Sequence, residues 1–301
     1  VVRVRHDFAG ECDTIDAVRV EFFGLLNAAR EWIGDDLPLT SLERELTGGE
    51  FTTFVTEVAA LVDVAPNLRQ ITFRRGLEGF ESLGGDQFLY VLLPPPGRTE
   101  LTVDEDFSWL AYDEMPEAER PAGAYYSVRA WRPETHELDM WFVLHGDAGA
   151  SSAWASRAIP GQPVALWGPR RSFDPPARTG SYLLVTDETG FGAVAAVLDE
   201  LLAADPDVVA TVIAESDGAD GRVPLPKGRH VSVKWVDRSG AEPGTTSLLL
   251  DAVRTASIAN DVYAFGAGES RRITEVRKHL RDHVGLPAEQ VSMTGYWRAA
   301  S

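Results

Sequence analysis

Hydrophobic and polar positions change their period twice along the chain, and each change predicts a different kind of structure. In residues 14–33 apolar positions recur at helical spacing, with Asp13 or Thr14 as a possible N-cap and Gly34 as a stop, which predicts an amphipathic helix. In residues 48–167 apolar and polar positions alternate in short runs between Gly and Pro residues. That pattern predicts an antiparallel barrel of about six strands.

The pattern changes again at Ser181, where apolar runs of strand length begin to alternate with runs of helical length. The strand-like runs are YLLVTD, VVATVIAE, HVSVKWV and VYAFGA, and the helical runs are GAVAAVLDELLAA, SLLLDAVRTA and ITEVRKHLRDHV. This order predicts an α/β domain with a largely parallel sheet, in which ligands bind beyond the carboxyl ends of the strands. We therefore predict a β + α/β protein with a helical extension over residues 1–46, an antiparallel barrel over 47–175 and an α/β domain over 176–301.

Within the barrel segment, residues 94–121 form a long acidic stretch that begins with Pro94-Pro95-Pro96-Gly97. A loop of this length is typical of an active-site cover or of a disordered excursion. The sequence leaves both possibilities open.

The composition bounds the class of protein. With 301 residues and 44% hydrophobic content, the chain is long enough to bury two hydrophobic cores. Its single cysteine, Cys12, excludes an internal disulfide and any site built from several cysteines, and we predict no metal site. No apolar run approaches the ~18 to 20 residues of a membrane span, and no signal-peptide pattern is visible, so we expect no membrane association and a cytoplasmic location.

The charge balance excludes further classes of partner. With 28 basic against 46 acidic residues, the net charge is −18, which argues against nucleic acid and anionic membranes. A small molecule is therefore the expected partner, and the oligomeric state stays open. A local positive pocket could still form from Arg170 and Arg171 together with Arg129, Arg157 and Arg178.

The candidate chemistry is concentrated in residues 124–172. Tyr126 and Ser127 begin an alternating segment, so their side chains should point to opposite faces of one strand. A later strand, residues 141–145, runs into a turn of small residues that comprises Gly146, Gly149, Ala150, Ser151 and Ser152. Small residues let backbone amides approach a phosphate closely.

This stretch resembles the siderophore-interacting proteins, which are flavin-dependent ferric-siderophore reductases related to the ferredoxin-NADP reductase superfamily. The resemblance extends to the opening strands of the barrel, in residues 52–94, and to three landmarks of the second half. These landmarks are Tyr182 to Thr189, Gly266-Ala267-Gly268-Glu269-Ser270 and Gly295-Tyr296-Trp297-Arg298. The predicted N-terminal helix lies outside the resemblance.

The resemblance implies that the barrel binds FAD and that the α/β domain binds NADH or NADPH. Hydride would pass from the nicotinamide to the flavin, and single electrons would then pass to a ferric chelate. Two catalytic residues are implied: Tyr126 would stack on the isoalloxazine, and Ser127 would hydrogen-bond near its reactive nitrogen. Further FAD contacts are implied for Arg129, Val143, His145, Ala150, Ser151 and Ser152. Nicotinamide-nucleotide contacts are implied for Thr186, Asp187, Glu188, Thr189, Gly266, Gly268, Glu269 and Trp297.

Three positions depart from the family pattern. The family motif R-x-Y-[ST] has an arginine where this chain has Ala124, so a contact to the FAD pyrophosphate worth about 1.5 to 3 kcal/mol is absent. Some members bind anionic ferric siderophores with three basic residues, of which this chain keeps Arg170 and has Tyr90 and Ser292 at the other two positions. The expected substrate is therefore neutral, cationic or organic.

Two classes of function remain open. The first is an NAD(P)H-dependent flavin reductase that acts on a ferric siderophore or a similar chelate, which the resemblance over both domains favours. The second is a repurposed family member, which either uses FAD in a biosynthetic step on a small organic molecule or has lost flavin and serves as a binding scaffold. Ala124, Tyr90 and the additional N-terminal helix favour the second class.

Overall fold

Six antiparallel strands close a barrel in the computed structural model, which describes residues 51–145 and 149–299. The strands follow one another around the barrel in the order β1-β2-β5-β4-β3-β6. Their bounds are β1 Thr52–Ala65, β2 Leu68–Arg74, β3 Gln87–Leu93, β4 Ala122–Arg132, β5 Glu137–Val143 and β6 Pro163–Arg171. The predicted six-stranded antiparallel barrel is confirmed, and the helix predicted over residues 14–33 lies outside the described residues.

A five-stranded parallel sheet follows the barrel, with strand order β11-β10-β7-β8-β9. Its strands are β7 Ser181–Thr186, β8 Ala210–Ser216, β9 Val231–Asp237, β10 Val262–Glu269 and β11 Val291–Trp297. The predicted α/β domain is confirmed, and four of its strands match the apolar runs in the sequence. The fifth, β11, was not predicted, because VSMTGYW mixes polar and apolar residues, as suits an edge strand.

Five α-helices accompany the strands in the described part of the chain. They are α1 Trp109–Glu114, α2 Ala150–Arg157, α3 Phe191–Ala204, α4 Leu248–Arg254 and α5 Ser270–Lys278, and α5 continues into a π-helical turn at His279–Val284. No helix in residues 51–145 or 149–299 is long and apolar enough to cross a membrane.

Helix α3 joins the two domains. Its sequence is apolar on almost every side, which is typical of a helix that is buried all round. One hydrophobic core contains Phe191 and Val194 of this helix together with Ala65 and Leu68 of the barrel. Because the barrel and the sheet share this core, the packing of the core fixes the position of one domain relative to the other.

The acidic stretch over residues 94–121 is an ordered cover on the outer face of the barrel. It contains α1, whose first turn is capped by the Ser108 hydroxyl, which accepts a hydrogen bond from Ala111 N at 3.2 Å. The rings of Phe107 and Trp109 pack against Trp167 of β6, with centroids 6.3 and 5.7 Å apart. The stretch therefore packs against the barrel, and its role as an active-site cover stays a prediction.

Candidate functional site

Strand β4 presents Tyr126 and Ser127 on its two faces, as the alternation predicts. The ring of Tyr126 packs inside the barrel against Phe142, with centroids 4.1 Å apart and planes inclined by 30°. Ser127 faces the α/β domain, and its Oγ lies 3.1 Å from the hydroxyl of Tyr296 in β11. Two consecutive residues thus connect the barrel interior to the last strand of the sheet.

Tyr126 also contacts the start of α2. Burial raises the pKa of Tyr126 to about 12, and a hydrogen bond with Ser151 acts in the opposite direction. The small residues from Ala150 onward were expected to form a turn, and this prediction was wrong, because they form the first turn of a helix that begins after Gly149. No side chain of the described residues caps that helix, so its first N–H groups and the positive end of its dipole stay available.

The segment before α2 is fixed by a hydrogen bond to the same helix. The backbone N–H of His145 donates to Ser152 Oγ at 3.0 Å, while the His145 side chain is exposed. Val143, at the end of β5, is half-buried against the core that the two domains share. These three predicted residues therefore lie around the beginning of α2.

Arg129 has a different partner from the one that the sequence suggested. Its Nη1 donates to Asp199 Oδ2 of α3 at 2.7 Å, and its guanidinium lies 5.4 Å from the ring centre of Trp141. The sequence left two candidates to replace the arginine that is missing at Ala124, namely Arg129 and the amides of Ser151 and Ser152. Because its charge is already paired across the domain boundary, the N-terminus of α2 is the better candidate for holding a pyrophosphate.

Asp86 is a buried residue of the site that the sequence reasoning missed. The Tyr296 hydroxyl donates to Asp86 Oδ1 at 2.7 Å, and the Ser172 hydroxyl donates to Oδ2. The carboxyl is fully buried, and burial raises its pKa to about 6, against the opposing effects of the Ser172 and Tyr296 hydrogen bonds and the charge of Arg171. One signal was present in the sequence, because an acidic residue between Gly84-Gly85 and a strongly apolar strand is unusual.

The carboxyl ends of β7, β10 and β11 meet at Asp187, which is buried. Its Oδ1 accepts hydrogen bonds from the backbone N–H and the hydroxyl of Thr189 at 2.9 and 2.5 Å. Its Oδ2 accepts from Glu269 N at 2.8 Å and from Trp297 Nε1 at 2.9 Å. Four of the residues predicted to contact a nicotinamide nucleotide are thus brought together, with the carboxylate of Asp187 at their centre.

The two glycines predicted to contact the nucleotide lie near the carboxyl end of β10, and their contact with a nucleotide stays a prediction. A Cβ on Gly268 would lie 2.7 Å from Asp187 Oδ2, and a Cβ on Gly266 would lie 2.4 Å from Met293 Sδ. These glycines therefore make room for neighbouring side chains in the sheet. Thr186, at the end of β7, donates its hydroxyl proton to the carbonyl of Asp187 at 2.8 Å.

Further carboxylates surround this edge of the sheet. Glu188 pairs with Arg238 Nη2 at 2.5 Å, and Glu215 pairs with Arg238 Nη1 at 3.4 Å. Glu269 caps α5 by accepting from the backbone N–H groups of Arg271 and Arg272. Burial raises the pKa of Asp187 and of Glu215, and the nearby carboxylate of Glu188 acts in the same direction on both.

The three residues predicted to contact substrate divide between two places. Tyr90 and Arg170 both contact Tyr125, whose ring centroid lies 4.9 Å from that of Tyr90 and whose hydroxyl accepts from Arg170 Nη1 at 2.7 Å. The Arg170 guanidinium also lies 4.6 Å from the ring centres of Phe51 and of Trp167. Ser292 lies in β11, where it hydrogen-bonds Tyr263 of the neighbouring strand.

Within the described residues, no group of three or more His, Cys, Asp or Glu side chains is arranged to hold a metal ion.

Both domains match families of known proteins. Residues 57–173 match the siderophore-interacting FAD-binding domain, and residues 179–300 match the siderophore-interacting protein family. An uncharacterised protein of Mycobacterium tuberculosis (strain ATCC 25618 / H37Rv) is 29% identical over 262 residues, which are 80% of this chain and 89% of the relative. The NADPH-dependent ferric-chelate reductase of Escherichia coli (strain K12) is 26% identical over 228 residues, which are 74% of this chain and 84% of the relative.

A solved structure gives the same result. The siderophore utilization protein from T. fusca superposes with a TM-score of 0.73 at 26% identity, over 83% of this chain and 94% of that protein. The matched barrel, the matched α/β domain and the superposition agree, and the chain belongs to the siderophore-interacting protein family.

Proposed function

We propose that the protein is an FAD-dependent oxidoreductase that takes hydride from NADH or NADPH and passes electrons singly to a ferric chelate. One observation carries the proposal, namely the position of two consecutive residues of β4. Tyr126 reaches Ser151 at the start of α2, and Ser127 reaches Tyr296 at the carboxyl edge of the parallel sheet. A flavin that lay along β4 would therefore have its pyrophosphate near a helix N-terminus and its ring near the nicotinamide side of the molecule.

The described residues fit such a group. The uncapped first turn of α2 offers backbone N–H groups to a pyrophosphate. Apart from the adjacent residues of the chain, nothing in the described residues lies within 4 Å of the position where a Cβ on Gly149 would stand. The hydroxyl of Ser151 is held by Tyr126, so the first turn of the helix is fixed before a ligand arrives. These donors take the place of the charge that is missing at Ala124.

Each residue of the site has a definable role. When bound, FAD takes up hydride and releases electrons one at a time. The Tyr126 ring limits where an isoalloxazine can lie, and the Ser127 hydroxyl is free on the side away from Tyr296 to hydrogen-bond a ring nitrogen. Asp187 accepts hydrogen bonds from Glu269 N and Trp297 Nε1, and these bonds keep the ends of β10 and β11 at a fixed distance from β7. They would thereby keep the nicotinamide-binding edge of the sheet rigid.

The surroundings of Arg170 favour an acceptor of low negative charge. The Arg170 guanidinium lies against three aromatic rings, so part of its charge is already compensated by cation–π contacts. Tyr90 adds an aromatic ring where some family members have a second cation. The same observation supports the alternative of a repurposed enzyme whose substrate is a small aromatic organic molecule.

The test is the absorbance spectrum of the purified protein after reconstitution with FAD, followed by anaerobic addition of NADH or NADPH. We expect a bound flavin that bleaches on addition of the nicotinamide and recovers on addition of a neutral ferric chelate. Tyr126→Phe should keep FAD, because the ring remains, whereas Tyr126→Ala should lose it. A flavin that binds and does not bleach would favour the repurposed enzyme, and a protein that cannot be reconstituted would refute both oxidoreductase proposals.

A further inference from the structure

Asp86 is joined to the site by a continuous chain of hydrogen bonds. Ser127 Oγ lies 3.1 Å from the Tyr296 hydroxyl, and this hydroxyl donates to Asp86 Oδ1 at 2.7 Å. The three residues come from β4, from β11 and from the turn before β3. This series of hydrogen bonds therefore crosses from the barrel to the α/β domain and back. No other described carboxyl hydrogen-bonds the Tyr296 hydroxyl.

The position of Asp86 is closely determined by its neighbours. Its backbone has φ of +55°, a left-handed conformation that Asp and Asn adopt more readily than most residues. Directly before it, the N–H of Gly85 donates to Glu200 of α3, and a Cβ on Gly85 would lie 2.7 Å from Val197 Cα. Helix α3 therefore fixes the turn that places the carboxyl against Tyr296.

The proposed reaction leaves one proton to be placed. Each hydride that is delivered brings two electrons and one proton, and two successive reductions of Fe(III) to Fe(II) remove only the two electrons. The remaining proton has to pass to a base near the reacting atoms. Ser127 is a relay and not a base, because a serine hydroxyl must lose its own proton in order to accept another.

We propose, on the basis of the proposed function, that Asp86 is the acceptor of this proton and that Ser127 and Tyr296 carry it there. Ser127 Oγ accepts the proton while its own proton passes to the Tyr296 oxygen. The Tyr296 proton passes to Asp86 Oδ1, so that a carboxylate becomes a carboxylic acid and both hydroxyls are restored. After the reduced chelate has left, the same path returns the proton to water.

The groups around Asp86 suit this role. Arg171 of β6 is the cation that favours its ionised form, and Arg171 is itself held by Glu200 at 2.7 Å. Tyr263 of β10 and Tyr296 of β11 are the titratable groups that also face it, and burial raises the pKa of both tyrosines, so they stay neutral. Since burial raises the pKa of Asp86 to about 6, it can both accept and release a proton near neutral pH.

Ser172 supplies a matched control. Its hydroxyl donates to the other oxygen of Asp86, so it affects the carboxyl but lies off the path from Ser127. Because this hydrogen bond lowers the pKa of Asp86, Ser172→Ala should raise that pKa and leave the relay intact. Tyr296→Phe keeps the ring and breaks the relay, and Asp86→Asn keeps the left-handed turn and removes the base.

The first measurement needs no flavin. Infrared titration of the ligand-free protein should show a protonated carboxyl that disappears with a midpoint near pH 6, is absent in Asp86→Asn and moves to higher pH in Ser172→Ala. A carboxyl that stays ionised down to the ordinary range of aspartate would overturn the proposal.

The second measurement is the rate at which a neutral ferric chelate oxidises the reduced, FAD-loaded protein in a single turnover. In the wild type the rate should rise with pH to a plateau as Asp86 ionises, and Tyr296→Phe and Asp86→Asn should be slower by about 100-fold without that pH dependence. Ser172→Ala should keep the plateau rate and shift the midpoint upward. If Tyr296→Phe matches the wild type at every pH, Asp86 merely positions the two domains, and the relay is refuted while the proposed function stands. Failure of the wild type to bind FAD would refute both, and the infrared titration would still report on Asp86.

Discussion

Arg238 illustrates how single residues carry charge into the interior of this acidic protein. Its side chain is 3% exposed and pairs with Glu188 and Glu215, which are 6% and 4% exposed. Neither carboxylate has another guanidinium partner within the described residues. Removal of one member of such a buried group costs far more than the group contributes as a whole, because the remaining charges stay buried.

We expect Arg238→Ala to lower the free energy of unfolding by about 3 to 5 kcal/mol, since it leaves two buried carboxylates without a cation. Arg229→Ala is the control, because Arg229 pairs with Asp207 at 4.0 Å and both side chains are at least 70% exposed. The control should change the free energy by less than about 0.5 kcal/mol. Urea unfolding at pH 7 measures both, and equal effects of the two substitutions would contradict the buried network.

Asp86 makes the stability of the folded protein depend on pH. Its pKa is about 6 in the folded protein and 3.8 for the ordinary group, so the folded state binds a proton in a range where the unfolded state has lost it. A raised pKa of this kind contributes stability that is complete below about pH 4 and is lost as pH rises through about 6. Since one pKa unit corresponds to about 1.4 kcal/mol, the full change is about 3 kcal/mol.

The difference in unfolding free energy between Asp86→Asn and the wild type isolates this effect from other groups. We expect the difference to move in favour of the variant by about 2.5 kcal/mol between pH 4 and pH 7 and to stay constant above pH 7. Denaturant unfolding at a series of pH values checks it. A difference that does not vary with pH would show that Asp86 is ionised at pH 4 in the folded protein.

At the scale of elements, helix α2 is the clearest difference between expectation and structure. By its composition the run Ala150-Ser151-Ser152 favours a turn, because small polar residues commonly form turns. The run continues with Ala153-Trp154, and Trp154 packs on the barrel core beside Phe142. This tertiary contact stabilises a helix that local propensity leaves undecided.

Ala150, the exposed first residue of α2, allows the role of the helix N-terminus to be tested. Ala150→Glu should stabilise the helix by about 0.3 to 1 kcal/mol, because a carboxylate there complements the dipole. The same carboxylate should weaken FAD binding about tenfold through repulsion of the pyrophosphate. Ala150→Gln is the uncharged control and should keep the wild-type affinity. Thermal unfolding and FAD titration measure the two effects, and an unchanged FAD affinity in the glutamate variant would place the pyrophosphate elsewhere.

At the scale of the whole molecule, the net charge of −18 acts on every charged substrate that approaches. A field of this sign slows the encounter with an anionic chelate, and the charge of Arg170 is partly compensated by the rings around it. Salt screens such a field, since the Debye length falls from about 30 Å at 0.01 M to about 8 Å at 0.15 M ionic strength.

We therefore expect the second-order rate of reduction of a trianionic ferric chelate to rise about tenfold between these ionic strengths. A neutral ferric hydroxamate is the control and should show no such rise. Stopped-flow oxidation of the reduced enzyme gives both rates. A rate that falls with salt for the anionic chelate would show that Arg170 and its neighbours form an attractive receptor.

The sequence by itself determined the two folds and their order, because hydrophobic period is a local property. The alternating runs before Trp167 and the strand and helix runs after Ser181 both form the elements that their periods predict. It also determined that Tyr126 and Ser127 lie on opposite faces, since successive residues of a strand always do.

The tertiary structure alone decided what those faces meet. Ser127 meets Tyr296, which is 169 residues away, and Tyr296 meets Asp86 at a separation of 210 residues. It also placed Arg129 against α3 and set the glycines of β10 against Asp187 and Met293. No local pattern records such pairs, because they depend on how α3 packs the barrel against the sheet, and a buried carboxyl acquires its chemistry only from the groups that enclose it.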